Sequence, residues 1–315
     1  MNTVLLTIIV PVYNHEQYLL KALKSIEMQD IECSYEVIIG EDCSTDRSKE
    51  ILQKYQENAP KNYYFIYRDT NLGMLNNISD LFYKSKGKYI IVLEGDDYWL
   101  YKNKINEQIN FLESNIKYSG CAHSVMVVDS DGKESKESYI QEKGNGIYNI
   151  KDYLNGLLPG QTASFMYRNY FTEKKLFRYL ENNKLYPLDR FIAFVVSSKG
   201  EIYCTNAKWS AYRYIVCGGS SFSANIDSRS AAYARSALLY HKSLYNYTIY
   251  EKCEVNCVKV SEKLYYKSFL RDWITDNDRK IKIMICELKK VKYPFETFIW
   301  IFIQLIYLLF KRKGN

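Results

Sequence analysis

The chain of 315 residues lacks several features that would assign it to a class at once. Its eight cysteines show no paired Cys-x-x-Cys spacing, and Cys253 and Cys257 have no histidine nearby, so no zinc site is expected. Free thiols in a reducing compartment fit this pattern better. The N-terminus has no basic segment or cleavage site before the first strand pattern, which predicts a cytoplasmic chain without a signal peptide.

Glycine-rich loops and a basic folded surface are also missing. The loop after the first predicted strand reads Pro11-Val12-Tyr13-Asn14. A nicotinamide-binding enzyme would need Gly-x-Gly-x-x-Gly there. The net charge is +7, but residues 279–315 hold nine basic and two acidic residues, so the rest of the chain is neutral. Because a nucleic-acid-binding domain carries its basic stripe on the folded body, we expect no nucleic-acid partner.

What the sequence does contain is a series of apolar runs that alternate with helical patterns. Strands are predicted at residues 5–10, 35–40, 63–67 and 88–93, and helices at 16–28, 48–56 and 74–84. Strand alternating with helix is typical of right-handed βαβ units. We therefore predict an α/β fold whose mostly parallel, Rossmann-like sheet is flanked by helices. Ligands of such sheets bind beyond the carboxyl ends of the strands.

The most informative of these strand ends is a group of acidic residues. The apolar run 88–93 continues directly into Glu94-Gly95-Asp96-Asp97. Carboxylates this close repel one another, and a hard divalent cation such as Mg²⁺ or Mn²⁺ relieves the repulsion. A metal held by one or two carboxylates keeps positions open for substrate phosphates. The alternative is that the aspartates only cap the helix that begins near Tyr101.

Four short motifs, in this order and spacing, resemble those of family 2 glycosyltransferases with the GT-A fold. They are Val10-Pro11-Val12-Tyr13-Asn14, Glu41-Asp42-Cys43-Ser44-Thr45-Asp46, Asn71-Leu72-Gly73 and Glu94-Gly95-Asp96-Asp97. The resemblance covers about residues 5–220. It implies a GT-A domain at 1–220, with a nucleotide-sugar half (1–115) and an acceptor half (116–220). A helical extension (221–292) and a basic, apolar tail (293–315) would follow.

The resemblance also implies the residues that bind the donor and the metal. Pro11, Tyr13 and Asp42 would line the nucleoside pocket, where the Asp42 carboxylate would accept a hydrogen bond from uracil N3–H. Gly73 would also contact the donor. The alternative for Asp42 is a loop or cap carboxylate. Asp96 and Asp97 would hold Mg²⁺ or Mn²⁺ against the donor diphosphate, with Asp96 therefore also a donor-binding residue. The remaining acidic positions are expected to play supporting parts: Glu94 beside the metal and Asp46 at a helix start.

The acceptor half would supply the base and a phosphate contact. Asp189 stands where the family places the carboxylate that takes the proton of the acceptor hydroxyl. The alternative is that Asp189 caps the helix 191–197 and pairs with Arg190. Arg213 would neutralise the diphosphate as it leaves. Family members often have a histidine shortly after this arginine, whereas Ile, Val and Cys follow here.

The function implied is that of an inverting glycosyltransferase. It would move a sugar from a nucleotide diphosphate donor, with a UDP-sugar expected, to a hydroxyl of a lipid-linked saccharide in bacterial surface polysaccharide synthesis. One alternative is a catalytically inactive nucleotide-binding scaffold at the membrane. Another is a sugar nucleotidyltransferase, but its Gly-rich, basic loop after the first strand is missing.

The C-terminal segment predicts a membrane partner. Residues 298–310 are all apolar or aromatic except Gln304, and lysines flank them on both sides. As a helix these residues span about 20 Å, less than the roughly 30 Å of a bilayer core. We therefore expect the segment to lie in the interface, with the protein peripheral at the inner face of the cell membrane and in contact with anionic lipids. The alternative is a helix that packs back on the domain.

Overall fold

The computed structural model describes residues 4–136, 142–171, 188–214, 231–275 and 288–313. The chain separates into two compact units. The described residues of the first unit lie within 4–171 and 188–214, and those of the second within 231–275 and 288–313. The predicted boundary between the GT-A domain and the helical extension, near residue 220, lies outside the described residues.

The first unit begins with four parallel strands. They are β1 (Leu6–Val12), β2 (Tyr35–Glu41), β3 (Tyr63–Tyr67) and β4 (Tyr89–Val92), in the spatial order β3-β2-β1-β4. The connections contain α1 (Leu19–Glu27), α2 (Ser48–Gln56) and α3 (Met74–Lys84). Because strands with helices on both faces are buried on both sides, they appear in the sequence as continuous apolar runs. The predicted strands and helices of this half are confirmed.

The second half of the unit adds antiparallel pairs to the sheet. Its strands are β5 (Tyr98–Trp99), β6 (Tyr118–Val128), β7 (Gly146–Tyr148), β8 (Met166–Arg168) and β9 (Glu201–Arg213). Its helices are α4 (Lys104–Ser114), α5 (Ile150–Leu154), a short 3-10 turn (Thr162–Ser164) and α6 (Leu188–Ser197). Strand β8 lies antiparallel between β4 and β6, and β6 is parallel to β9. Strand β5 pairs with the end of β9 and so places the chain after Asp97 beside Arg213.

One hydrogen-bonded group ties the strands together at the edge opposite the strand ends that carry the acidic residues. The Thr7 hydroxyl donates to buried Glu36 (2.7 Å) and accepts from the backbone N–H of Gly87 (2.8 Å). Glu36 also accepts from the N–H of Lys86 (2.7 Å). A Cβ on Gly87 would collide with the backbone of Thr7, so the approach of this loop to β1 requires glycine. The group fixes β1, β2 and the start of β4 in register.

The second unit is helical, as predicted for the C-terminal region. It contains α7 (Ala231–Tyr250), α8 (Val255–Thr275) and α9 (Pro294–Lys313). Buried Glu262 of α8 accepts from the N–H groups of Lys292 (2.6 Å) and Tyr293 (2.9 Å) and from the Thr297 hydroxyl (2.8 Å). These bonds attach the start of α9 to α8 and satisfy N–H groups that a helix start leaves free. Among the described residues, no helix has both the length and the hydropathy needed to cross a bilayer.

Candidate active site

The loops that follow β1 and β2 are joined by hydrogen bonds between side chains and backbone. Asp46 accepts from the N–H of Glu16 (2.9 Å) and from the N–H of Ser48 (2.9 Å) in the first turn of α2. The Ser44 hydroxyl accepts from the N–H of Asn14 (3.0 Å), which has a φ of 56°. Asp46 thus lies at the start of α2, one residue before the N-cap Arg47, and these bonds join the two loops into one edge beyond the parallel strands.

Two of the three residues expected at the nucleoside pocket lie side by side on this edge. The N–H of Asp42 donates to the carbonyl of Val12 (3.0 Å), directly before Tyr13, whose side chain is 37% exposed. Asp42 itself is 2% exposed, and its Oδ1 accepts from the N–H of Leu72 (2.8 Å). Burial raises the pKa of the Asp42 carboxyl. The carboxylate therefore holds the 71–73 loop, in which Gly73 has a φ of +79°.

The acidic motif after β4 forms a compact cluster. One carboxylate oxygen from each of Glu94, Asp96 and Asp97 lies within 4.8 Å of the others. Burial, and then the charges of Asp96 and Asp189, raise the pKa of Glu94 to about 8. Burial and the neighbouring carboxylates also raise the pKa of Asp97 well above its usual value. Hard carboxylate oxygens at this spacing are a donor set that suits Mg²⁺ or Mn²⁺, so the residues present fit such an ion.

Asp97 is held in place by two N–H donors that come from distant parts of the chain. The Gln161 side-chain amide donates to Oδ2 (2.7 Å), and the backbone N–H of Arg213 donates to Oδ1 (2.8 Å). Asp97 is 1% exposed. The sequence predicted no role for Gln161, because one glutamine 64 positions from Asp97 carries no pattern that reasoning from spacing could use.

A second residue that the sequence did not predict lies against the glycine of the motif. A Cβ on Gly95 would collide with the imidazole of His15, which follows β1. The Nδ1 atom of this ring is buried and has no hydrogen-bond partner within the described residues. The close approach explains why glycine stands between Glu94 and Asp96, since any side chain there would displace His15.

Arg213, the residue predicted to contact the phosphate, is held by backbone carbonyls. Its guanidinium donates to the carbonyls of Asp96 (3.0 Å), Asp129 (2.7 Å) and Ser130 (2.8 Å) and lies 4.1 Å from the centre of the Tyr18 ring. With the side chain buried in these contacts, its charge serves to hold the Asp96 turn and the 129–130 loop together. No finding tests the contact of Arg213 with the diphosphate, which stays a prediction.

Asp189, the predicted base, lies in the first turn of α6 and lines a small pocket. Phe165, Tyr167 and Ile192 also line this pocket. Oδ1 of Asp189 accepts from the N–H of Arg190 (2.7 Å), and burial raises the pKa of its carboxyl. Because the charge of Asp189 contributes to the raised pKa of Glu94, the two groups lie within electrostatic reach. The fold thus brings the acidic motif and the predicted base to one place.

Comparisons with known proteins identify the family of the chain. The family model described as "Glycosyl transferase family 2" matches residues 7–177. The putative teichuronic acid biosynthesis glycosyltransferase TuaG of Bacillus subtilis is 30% identical over 126 residues, which cover 40% of this chain and 49% of TuaG. A GalNAc(5)-diNAcBac-PP-undecaprenol beta-1,3-glucosyltransferase of Campylobacter jejuni is 27% identical over 180 residues, 54% of each chain. The chain spans about half the length of these curated relatives.

A solved structure shows the same fold. Residues 1–349 of Staphylococcus aureus TarS, in complex with UDP-GlcNAc, superpose with a TM-score of 0.59 at 17% identity, covering 86% of this chain and 73% of that one. At this sequence identity the match is evidence for the fold only. The family match covers more than half of the sequence. The chain therefore belongs to glycosyl transferase family 2, has the GT-A fold, and is related to transferases of bacterial surface polysaccharides.

Proposed function

We propose that the protein is an inverting, metal-dependent glycosyltransferase that uses a UDP-sugar donor. The acceptor would be a hydroxyl of a lipid-linked saccharide in bacterial surface polysaccharide synthesis. The observation that carries the proposal is the proximity of the Glu94, Asp96 and Asp97 cluster to Asp189. The names of the relatives, which include an undecaprenol-linked acceptor and a complex with UDP-GlcNAc, support the acceptor and donor classes.

Asp96 and Asp97 would hold Mn²⁺ or Mg²⁺, and Glu94 would support them. When bound, the ion neutralises charge on the donor diphosphate. The carboxylate of Asp97 is oriented by two N–H donors, and the backbone of Asp96 is held by the bond from Arg213 to its carbonyl. Because these hydrogen bonds are present before the donor binds, the acidic residues need little rearrangement when it does.

Asp189 would accept the proton of the attacking hydroxyl. Because burial raises its pKa, Asp189 is a stronger base than an exposed aspartate. A hydroxyl activated from this side attacks the anomeric carbon on the face opposite the diphosphate, so the configuration inverts. An inactive scaffold would not need a carboxylate that lines a pocket and lies within electrostatic reach of Glu94.

The membrane partner is favoured by one face of α9. Large apolar side chains spaced three and four residues apart are exposed along this face: Phe295, Phe298, Ile299, Phe302 and Ile303. Phe295 is 77% and Phe302 64% exposed. The opposite face, with Thr297 and Ile301, is buried within the second unit. Helix α9 therefore combines the two alternatives for this segment. One face packs within the second unit, and the other face is exposed and available to contact lipid.

Basic residues lie at both ends of the exposed apolar face. Lys289, Lys290 and Lys292 are exposed before α9, and residues 311–313 at its end are Lys-Arg-Lys. A basic side chain near an anionic leaflet contributes about 1 kcal/mol to binding. We propose that this face rests on the anionic inner surface of the cell membrane and brings the enzyme to a lipid-linked acceptor.

The first prediction concerns the metal. In the metal-free protein the pKa of Glu94 is about 8, against 4.5 for an ordinary glutamate. The folded state therefore binds more protons between these pH values, and the free energy of unfolding falls as the pH rises through them. We expect Tm without metal to fall from about pH 6 to about pH 8, and Mn²⁺ to raise Tm more at the higher pH.

Two variants test whether Glu94 causes this pH dependence. Glu94→Gln should weaken it, and Glu32→Gln, which removes an exposed carboxylate outside the cluster, should not. A Tm that does not change on addition of Mn²⁺ at either pH would count against the metal site.

The second prediction concerns the base. Asp189→Asn keeps the shape but cannot take the proton, so we expect turnover to fall about 10²- to 10⁴-fold with UDP affinity unchanged. Asp152→Asn is the matched control, since Asp152 also lies in the first turn of a helix, where it completes a capping box. If Asp189 only caps α6, the two variants will lose activity to a similar, small extent. Product NMR should show inversion, and retention would exclude this role.

The third prediction concerns the donor base. If Asp42 accepts from uracil N3–H, UDP should bind at least about tenfold more tightly than GDP, the effect of one hydrogen bond to a charged group. UDP methylated at N3 tests the bond without altering the protein, and calorimetry should show a loss of similar size. Equal binding of UDP and N3-methyl-UDP would assign Asp42 to the 71–73 loop alone.

The fourth prediction concerns the membrane. The intact chain should sediment with vesicles that contain about a third anionic lipid, and less with neutral vesicles. Phe295→Asp with Phe302→Asp should abolish most of this binding and leave Tm unchanged, because both side chains are exposed. Val255→Asp, an exposed apolar residue at the start of α8, should bind like the wild type. A dimer in solution that the double variant dissociates, without vesicle binding by the wild type, would assign the face to a second copy instead.

A further inference from the structure

The orientation of the Asp97 carboxylate depends on a side chain that belongs to neither the acidic motif nor the acceptor helix. Gln161 is buried, and its Nε2 donates to Oδ2 of Asp97 (2.7 Å). We infer that Gln161 is a positioning residue that aims the Asp97 carboxylate at the cation, an inference that rests on the proposed metal-dependent function.

The direction of the Gln161 amide is itself fixed. Its Oε1 accepts from the N–H of Ala163 (2.7 Å) at the start of the 3-10 turn. The oxygen of the amide is therefore turned to the backbone, and the NH₂ group must face Asp97. The turn is held in place in the same region, because the carbonyl of Ala163 accepts from the Trp99 indole N–H (3.0 Å). A glutamine fixed in this way can act only as a donor towards the carboxylate.

The two donors on Asp97 leave a defined direction open for a cation. Gln161 approaches Oδ2, and the backbone N–H of Arg213 approaches Oδ1. Each carboxylate oxygen can accept more than one interaction, so the remaining lone pairs stay available while the plane of the group is set. Partners behind a ligating carboxylate orient it in this way, and their loss typically weakens metal affinity 10- to 100-fold.

The role is local to Asp97, and the chain offers a matched comparison. Gln108 is a second buried glutamine, whose Nε2 donates to the carbonyls of Ser164 (2.9 Å) and Cys121 (3.2 Å). Its Oε1 accepts from Lys104. Gln108 therefore holds the same 3-10 turn as Gln161. Its described hydrogen bonds do not reach the acidic cluster, so it shares the structural part of the role without the part that concerns the metal.

The test measures Mn²⁺ binding by the loss of the free-ion EPR signal, on the full chain and without a sugar donor. Gln161→Met removes the amide at nearly constant length and should weaken Mn²⁺ binding about 10- to 100-fold. Gln161→Asn keeps an amide that can cap the turn but is too short to reach Asp97, so it should fold like the wild type and still lose affinity. Gln108→Met should lower Tm and leave Mn²⁺ affinity within about twofold of the wild type.

The Mn²⁺ affinities of the variants distinguish the positioning role of Gln161 from the existence of the metal site. If the wild type binds Mn²⁺ and both Gln161 variants bind it equally well, the positioning role is overturned and the metal site stands. If affinity falls as much in Gln108→Met as in Gln161→Met, the effect belongs to the stability of the turn, which also overturns it. A wild type that binds no Mn²⁺ would remove the metal proposal and this inference together.

Discussion

Repulsion among carboxylates at the end of β4 is the constraint on which the site depends. Three acidic side chains lie within 4.8 Å of one another, and a fourth, Asp189, is close enough to raise the pKa of Glu94. Such a cluster costs stability in the metal-free fold, because buried like charges disfavour ionisation. The surrounding structure limits this cost with N–H donors from Gln161 and Arg213 on Asp97. A divalent cation would relieve the rest, so metal binding and stability should be coupled.

The remainder of the first unit keeps this cluster in a fixed place. At one edge of the sheet, Thr7, Glu36 and Gly87 hold the beginnings of the central strands in register. At the other edge, hydrogen bonds join the loops after β1 and β2, and the Arg213 guanidinium joins the Asp96 turn to the 129–130 loop. The ordered edges explain how a site made from several loops can have one geometry before its substrates bind.

The second unit contains a helix, α9, that has apolar residues on more than one side. Glu262 anchors the start of α9, and the contact buries Thr297 and Ile301. The phenylalanines on the other side remain exposed, and lysines precede them. A segment that packs by one face cannot be removed without uncovering the α8 surface and the buried Glu262 carboxylate. For this reason substitutions on the exposed face test the membrane proposal better than truncation does.

The sequence by itself determined the α/β class, the four parallel strands, the intervening helices and the acidic motif. These follow from local patterns, since a strand buried on both faces is a continuous apolar run and its end is marked by polar residues. Only the tertiary structure decided which side chains meet. Gln161 reaches Asp97 across 64 positions, His15 lies against Gly95, and the Arg213 guanidinium donates to the carbonyl of Asp129. The pairing of β1 with β4 sets the contact of His15, and the way β8 and β9 join the sheet sets those of Gln161 and Arg213. Long-range pairing of this kind leaves no periodic signal in the chain.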